Sequence, residues 1–301
     1  MPITHPFEYV RPDSLAEVLS ILAKHGRKAM ILAGGTDLVV HLKEDRATPD
    51  VVVDVKGLPE LRGIRVSQGK ATIGALATFT DILESRELRE HSPLLVESAH
   101  TVASVGIRNR ATLVGSLCSA VPSLDCGPAL LVYDALVLTK SSDACSAGER
   151  SVSIHDWFTG PKKTALRDHE MATAVTFEPP TAKHASVYVK LGRYAGEDLA
   201  QAGIAVLLTQ DREYRVAFCA LGPVAKRARR VEALLKGKDL SADLIKQARR
   251  VIADEISPIT DIRASQEYRT LMAQVMIERA LTEVTARLRG HTTPSHTLLG
   301  G

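Results

Sequence analysis

The feature that most constrains this chain is a glycine pair between two apolar runs, in the stretch ILAGGTDLVVHL at residues 31–42. The first run predicts a short buried strand, and the second predicts a helix that Thr36 would cap. A strand that turns through Gly34 and Gly35 into a helix points unpaired backbone N–H groups at one place, where an anion can bind. A glycine pair also forms ordinary turns that bind nothing, and the stretch alone leaves both interpretations open.

Residues 1–58 have the pattern of a small βαβ-type unit. Asp13 or Ser14 caps a predicted helix that ends near His25, and an apolar run at 28–33 predicts the strand that enters the glycine turn. The valine-rich run at 51–55 predicts the next strand.

Residues 59–180 predict a second unit. It contains a hairpin around residues 67–70, short helices, a loop-rich region at 106–127 and two later strands. These strands are predicted at 136–139 and 151–154, and the polar segment 141–150 is predicted to be an exposed turn.

The pattern changes beyond about residue 180, where we place a domain boundary. Three strands are predicted at 187–191, 204–208 and 214–221, followed by three helices at 226–236, 241–256 and 266–289. The resulting C-terminal domain spans 181–290. The tail at 291–301 lacks apolar periodicity, and we expect it to be disordered.

Composition excludes several classes of protein. The 301 residues are 45% hydrophobic and carry a formal charge of only +3, so a large core is expected and a nucleic-acid partner is not. The sequence has no signal-peptide pattern and no apolar run long enough to span a membrane, which predicts a cytoplasmic protein. Four cysteines without C-x-x-C spacing and scattered histidines predict no metal site.

A second glycine-containing stretch, TLVGS at residues 112–116, lies between Arg108 and a proline-containing loop at 119–125. Two separated loops suit one long ligand, such as a dinucleotide, whose pyrophosphate and two ends lie far apart. Taken alone, the second stretch also fits a surface turn with Leu113 and Val114 buried beneath it.

Five motifs in order closely resemble the FAD-binding medium subunit of the molybdenum hydroxylases, the xanthine dehydrogenase and carbon monoxide dehydrogenase family. They are ILAGGTDL, SVGIRNRATLVGSLCSAVPSLDCGPALLVYDA, WFTGPKKTAL, YVKLGRYAGEDLA and DIRASQEYRTLMAQVMIERAL, and the resemblance runs from about residue 7 to residue 288. It implies an α+β fold: a two-subdomain, PCMH-like FAD-binding domain over 1–180, then a C-terminal domain with a three-stranded antiparallel sheet and a three-helix bundle.

The resemblance also implies which residues bind FAD. Both glycine stretches would wrap the pyrophosphate, through Ile31, Leu32, Ala33, Gly34, Gly35, Thr36, Asp37 and Leu38 and through Thr112, Val114, Gly115 and Ser116. Asp125 would bond the ribityl or adenosine part, Lys190 would lie near the flavin ring, and Ala172 would provide a backbone or apolar contact to the ring. From the residues alone, Asp125 also suits a helix N-cap before Gly127, and Lys190 suits a solvated strand end.

The chain departs from the family pattern in the second stretch, where most relatives have TIGGN or TIGGD. Val114 replaces a glycine, and a β-branched side chain disfavours the positive φ that glycine adopts. Either residue 114 keeps a negative φ, which we favour, or flavin binding is altered. Cys118 and Cys126 leave no room between them for the cysteine-rich insertion that some relatives carry.

The family also implies partners. A small subunit with two [2Fe-2S] clusters and a large subunit with molybdopterin and molybdenum would supply electrons, in a dimer of heterotrimers. FAD would pass these electrons to an acceptor such as NAD or a quinone, so no nucleophile or general base is expected on this chain. The competing hypotheses are a degenerate scaffold subunit without flavin, suggested by Val114 and Ser116, and a stand-alone flavoenzyme of another family.

Overall fold

The computed structural model describes residues 2–142, 148–194 and 197–291. Most of the predicted C-terminal tail, residues 292–301, and the middle of the predicted polar turn, residues 143–147, lie outside this part of the chain. None of the described helices is both long enough and apolar enough to cross a membrane.

The N-terminal unit is a three-stranded parallel sheet with two helices. Its strands are β1 (Glu8–Val10), β2 (Ala29–Leu32) and β3 (Val51–Asp54), in the order β1-β3-β2, and its helices are α1 (Leu15–His25) and α2 (Leu38–Lys43). Ser14 caps α1 by accepting a hydrogen bond from the Glu17 amide, which confirms one of the two predicted caps.

The predicted cap at Thr36 is wrong. Helix α2 begins at Leu38, and Asp37 occupies its N-cap position without a side-chain cap hydrogen bond. The glycine turn takes more residues than expected because Gly35 adopts a left-handed φ of 78° before the helix starts.

The second unit is built on a five-stranded antiparallel sheet in the order β4-β5-β10-β6-β7. Its strands are β4 (Ile64–Ser67), β5 (Lys70–Gly74), β6 (Leu136–Ser141), β7 (Glu149–Ser153) and β10 (Glu170–Phe177), and β8 (Phe158–Gly160) pairs with β9 (Lys163–Thr164) beside it. The central strand β10 has no counterpart among the predicted strands.

Seven short helices belong to the described part of this unit. They are α3 (Phe79–Glu84), α4 (Arg86–His91), α5 (Pro93–His100), α6 (Val105–Arg108), α7 (Leu113–Ser119), α8 (Gly127–Val132) and α9 (Ile154–Trp157). The predicted loop region at 106–127 therefore contains helices. Ser104 caps α6 and Thr112 caps α7, and both helices are too short to produce a readable hydrophobic period.

The C-terminal unit contains the three predicted strands and the three predicted helices. The strands are β11 (His184–Leu191), β12 (Ala202–Thr209) and β13 (Tyr214–Cys219), all antiparallel, and a two-residue strand β14 (Lys226–Arg227) extends the sheet. Residues 226–227 were predicted as helix, but α10 (Arg229–Leu235) starts after them. Helices α11 (Ala242–Ala253) and α12 (Gln266–Leu288) pack on each other, and α12 covers β11 and β12.

The C-terminal sheet packs against α5, α8 and the loop before α8 of the second unit. Helix α8 packs on β12 and β13, and α5 packs on β11. The Ala220 amide donates to the Pro122 carbonyl at 2.7 Å, so the end of β13 is fixed to that loop. Asp134, just after α8, accepts hydrogen bonds from Arg215 and Arg227 of the C-terminal sheet.

Candidate functional site

The glycine turn presents a row of backbone donors. Within the described residues, the amides of Ala33, Gly34, Gly35, Thr36 and Asp37 make no hydrogen bond to the protein. These residues are partly exposed except for Asp37, which is exposed. Five successive unpaired and accessible donors beside a strand end form a suitable anion cradle.

The two glycines of the cradle have different structural roles. A Cβ at Gly34 would lie 2.2 Å from the carbonyl oxygen of Arg110, so the two chain segments pack backbone to backbone there. At Gly35, the positive φ is the constraint. The space beside Gly34, which we expected to admit a phosphate, is thus occupied by the segment that precedes the second glycine stretch.

The second stretch is the first turn of α7. Thr112 is its N-cap, and its hydroxyl accepts a hydrogen bond from the Gly115 amide at 3.0 Å. A Cβ at Gly115 would lie 2.7 Å from that hydroxyl oxygen, so this glycine permits the cap. The cap uses the Gly115 amide, and the Ser116 amide is bonded to the Thr112 carbonyl.

Val114 does not strain this turn. It lies within α7, has no positive φ and is 2% exposed in the hydrophobic core. The negative φ that we favoured is therefore what the structure adopts, and the β-branched side chain packs inward, away from the exposed end of the helix.

Helix α7 also fixes the far side of the cradle. The Ser119 hydroxyl, in its last turn, donates a hydrogen bond of 2.5 Å to the Asp37 carboxylate. The two predicted pyrophosphate segments are thus linked by packing at Gly34 and by a hydrogen bond at Asp37, and the sequence analysis foresaw neither contact.

Asp125 and Lys190 form a buried ion pair. The Lys190 ammonium donates to Asp125 Oδ2 at 3.0 Å and to the Thr101 carbonyl at 2.7 Å, and the two charged side chains are 10% and 8% exposed. The other Asp125 oxygen accepts from the Tyr188 hydroxyl at 2.9 Å. The carboxylate is therefore not a helix cap, and the lysine is not solvated.

Burial raises the pKa of Asp125 and of its neighbour Tyr188. Desolvation raises the pKa of Asp125 to about 6, although Lys190 and Tyr188 both favour its charged form. Burial also raises the pKa of Tyr188, so its hydroxyl stays protonated and remains a donor at neutral pH. Among the described ion pairs, the buried Lys190 cation is thus neutralised by one acid, and the pKa of that acid is raised.

Ala172 lies in β10 opposite Thr139, at a bulge between residues 172 and 174, and is 5% exposed. Helix α7 packs on the same strand. The predicted contact of residue 172 would therefore be made from the sheet on which the second glycine stretch rests.

One segment, residues 101–125, connects all of these groups. Its Thr101 carbonyl and Asp125 carboxylate hold Lys190, while its Arg110 backbone and Ser119 hydroxyl hold the glycine turn. The glycine turn and the ion pair are therefore both fixed by one continuous stretch of the chain.

The residues present fit FAD. The unpaired amides at 33–37 suit a pyrophosphate, and the Lys190 cation with the Asp125 acceptor suits a flavin and its sugar chain. Such a flavin supplies the redox chemistry when it is bound, while the protein provides position and charge.

Four contributing residues were missed from the sequence: Thr101, Arg110, Ser119 and Tyr188. Tyr188 had a usable signal, since it precedes Lys190 by two residues and side chains two apart on a strand share a face. Thr101, Arg110 and Ser119 had none, because their partners are distant in the chain.

Comparison with known proteins gives two family matches in chain order. Residues 5–180 match the family described as FAD binding domain in molybdopterin dehydrogenase, and residues 186–284 match CO dehydrogenase flavoprotein C-terminal domain. Together these matches cover both units around the candidate site.

Similar proteins cover nearly the whole chain. The putative xanthine dehydrogenase FAD-binding subunit of Escherichia coli (strain K12) is 31% identical over 94% of this chain and 97% of its own length. The carbon monoxide dehydrogenase medium chain of Afipia carboxidovorans is 33% identical over 94% of this chain and 98% of its own. A solved chain of carbon monoxide dehydrogenase from Hydrogenophaga pseudoflava superposes with a TM-score of 0.90 at 31% identity, covering 95% of this chain and 99% of that one. The chain therefore belongs to the FAD-binding medium subunits of the molybdenum-containing dehydrogenases, and it is a flavoprotein subunit of an oxidoreductase.

Proposed function

We propose that this chain is the electron-transfer subunit of a heteromeric molybdenum hydroxylase. In this role it takes electrons from the [2Fe-2S] clusters of a partner subunit and passes them through FAD to an external acceptor such as NAD or a quinone. The observation that carries the proposal is the row of unpaired amides at 33–37, held against the segment 101–125 that also carries the partners of Lys190.

The proposed binding roles follow the geometry. The turn from Ile31 to Leu38 and the first turn of α7, with Thr112, Val114, Gly115 and Ser116, bind the pyrophosphate from two sides. In the second segment the Val114 amide and the Ser116 hydroxyl make the contact, because the Thr112 hydroxyl and the Gly115 and Ser116 amides are already bonded within α7. These roles are supported by the packing of Gly34 on Arg110.

The remaining roles concern the flavin end. Lys190 lies near the ring, where its positive charge favours the reduced cofactor, and Ala172 makes a backbone or apolar contact. Asp125 accepts hydrogen bonds from the sugar chain in addition to its bond with Lys190. Support for this assignment comes from the burial of the pair beside the Thr101 carbonyl and from the lack of a side-chain cap from Asp125 at the start of α8.

The proposed complex contains a small subunit with two [2Fe-2S] clusters and a large subunit with molybdopterin and molybdenum, as a dimer of heterotrimers in the cytoplasm. Support comes from the names of the relatives, which describe them as subunits or medium chains. We also propose a domain division near residue 180, which the limits of the two family matches support.

The residues that suggested a scaffold subunit without flavin do not support it. It was suggested by Val114 and Ser116, but Val114 sits in a helix without backbone strain and Ser116 is an ordinary helical residue. No specific observation favours a subunit without flavin.

The test is reconstitution of the purified full-length chain with FAD, followed by its visible spectrum and a fluorescence titration. We expect the absorption bands of bound oxidised flavin at one equivalent per chain. A chain that remains colourless after incubation with excess FAD would refute the proposal. The proposed complex is tested separately by co-purification of the chain with the proposed [2Fe-2S] and molybdopterin subunits, followed by iron and molybdenum analysis.

A further inference from the structure

The hydroxyl of Tyr188 occupies a closely packed place beside the ion pair. Tyr188 is 2% exposed, and its oxygen lies 2.9 Å from Asp125 Oδ1 and 3.6 Å from the Cys219 sulfur. A Cβ at Gly203, on the neighbouring strand, would lie 2.4 Å from that oxygen. Neighbours on β12 and β13 therefore hold the hydroxyl oxygen within hydrogen-bond distance of Asp125.

Asp125 divides its two oxygens between two donors on β11. Oδ1 accepts from Tyr188, and Oδ2 accepts from the Lys190 ammonium, which also donates to the Thr101 carbonyl. Tyr188 thus touches no part of the glycine cradle, but it bonds to the only acid that neutralises Lys190 within the described ion pairs.

We propose that Tyr188 is a positioning residue which, through Asp125, sets how much of the Lys190 positive charge reaches the flavin. This inference rests on the proposed function, because it needs FAD near Lys190. It adds a residue whose role is to adjust the redox potential rather than to bind the cofactor.

The charge of Asp125 connects Tyr188 to the flavin. A carboxylate buried to this degree is stable only with donors, and loss of one donor shifts it toward the neutral acid. The titratable groups that face it are Lys190, Tyr188, Cys126 and Cys219. When Asp125 is neutral, Lys190 is an uncompensated cation and stabilises the reduced cofactor relative to the oxidised one.

The first experiment compares Tyr188→Phe with wild type as the FAD-loaded full chain. We expect equal FAD content and a higher midpoint potential at pH 7.5; a tenfold shift toward reduced FAD corresponds to about 30 mV for a two-electron couple. Tyr214→Phe is the matched control, since it removes a buried hydroxyl that donates to the Lys238 carbonyl in the C-terminal unit, and its potential should equal that of wild type.

A double variant shows whether Tyr188 affects the midpoint potential through Asp125 or through a general change in the protein. Asp125→Asn removes the charge and should raise the potential at least as much as Tyr188→Phe. Adding Tyr188→Phe to Asp125→Asn should then change the potential no further, because the tyrosine acts only through that charge. If the tyrosine change shifts the potential equally in both backgrounds, the proposal is wrong.

A second measurement does not need FAD. In the flavin-free chain labelled with ¹³C at aspartate carboxyls, the signal lost in Asp125→Asn identifies Asp125, and its pKa should be higher in Tyr188→Phe than in wild type or Tyr214→Phe. An unchanged pKa overturns the inference. A wild-type chain that binds no FAD would refute the proposed function while this titration still tests the coupling.

Two further results would also contradict the inference. An unchanged midpoint potential in a fully loaded Tyr188→Phe chain would show that Asp125 is insensitive to its donor. Loss of FAD from a Tyr188→Phe chain with normal thermal unfolding would show that the tyrosine holds the cofactor itself. If Tyr188→Phe cannot be purified folded, Asp125→Asn must still raise the potential, and failure to do so overturns the proposal.

Discussion

The carbonyl oxygen of Arg110 fills the space that a side chain at Gly34 would need, since a Cβ there would lie only 2.2 Å from it. This contact locks the glycine turn onto the segment that leads into α7. The absence of a side chain at Gly34 thus lets another part of the backbone approach, and the unpaired amides beside it are left for the ligand.

Gly34→Ala is expected to separate these two segments. The new methyl group would meet backbone atoms of Arg110 and Ala111, which cannot rotate away as a side chain can. We therefore expect a loss of about 1–3 kcal/mol in unfolding free energy and at least tenfold weaker FAD binding. Urea unfolding and FAD titration measure the two effects. Gly106→Ala is the control: its Cβ would meet nothing nearer than 4.0 Å, so stability should change by less than about 1 kcal/mol. Unchanged FAD affinity in Gly34→Ala would contradict the proposed role of the Gly34–Arg110 contact in FAD binding.

Val114→Gly introduces the glycine that the family resemblance implies for this position, yet we expect it to destabilise this protein. The side chain is 2% exposed within α7, so its removal costs burial and helix propensity, together roughly 2–4 kcal/mol. FAD affinity of the folded fraction should stay the same, because residue 114 needs no positive φ. Val105→Gly, at a helical position that is 63% exposed, should cost about 1 kcal/mol or less. Tighter FAD binding by Val114→Gly would show that valine does impair the site.

The Asp125 carboxyl should make stability depend on pH in an unusual direction for an acid. Its pKa is raised from 3.8 to about 6 in the folded chain, so between about pH 4 and pH 6 the folded state binds the proton that the unfolded state has lost. Its contribution therefore favours the folded state below about pH 4 and declines as pH rises through 6. The stability of wild type relative to Asp125→Asn should fall by roughly 2–3 kcal/mol from pH 4 to pH 7. A flat difference across that range would contradict the raised pKa.

Asp134 should stabilise the contact between the second unit and the C-terminal sheet. Its carboxylate accepts hydrogen bonds from His155, Arg215 and Arg227, and these partners hold its pKa below the usual value. Its stabilising effect is therefore complete above about pH 4 and disappears as pH falls below its lowered pKa.

Asp134→Asn tests this contact, since asparagine tolerates the left-handed φ of 51° at this position. We expect a loss of about 1–2 kcal/mol, discounted because the carboxylate is 45% exposed, while Arg227 is buried. Asp239→Asn, in an exposed pair with Arg212, should cost less than about 1 kcal/mol. Both losses of unfolding free energy are measured by urea unfolding at pH 7. Equal losses would show that the Asp134 contact stabilises the protein no more than an exposed ion pair does.

Some elements could be predicted locally and some could not. The cap at Ser14, the 67–70 hairpin and the three C-terminal helices follow from side-chain types and periodicity within each segment. Strand β10 was missed because it is buried on both faces and shows no alternation. Helices α6 and α7 were missed because a helix of four or seven residues is stabilised by its cap and its packing rather than by a repeated pattern.

The sequence by itself determined the order of the units, the turn at Gly34 and Gly35 and, through motifs in the same order, the family. Tertiary structure alone decided which residues meet: Asp125 with Lys190 across 65 positions, Ser119 with Asp37 across 82, and Arg110 with Gly34. The physical reason is that helix caps, turns and periodicity arise from neighbours along the chain, whereas the partner and the charge state of a buried group depend on segments brought together only by folding.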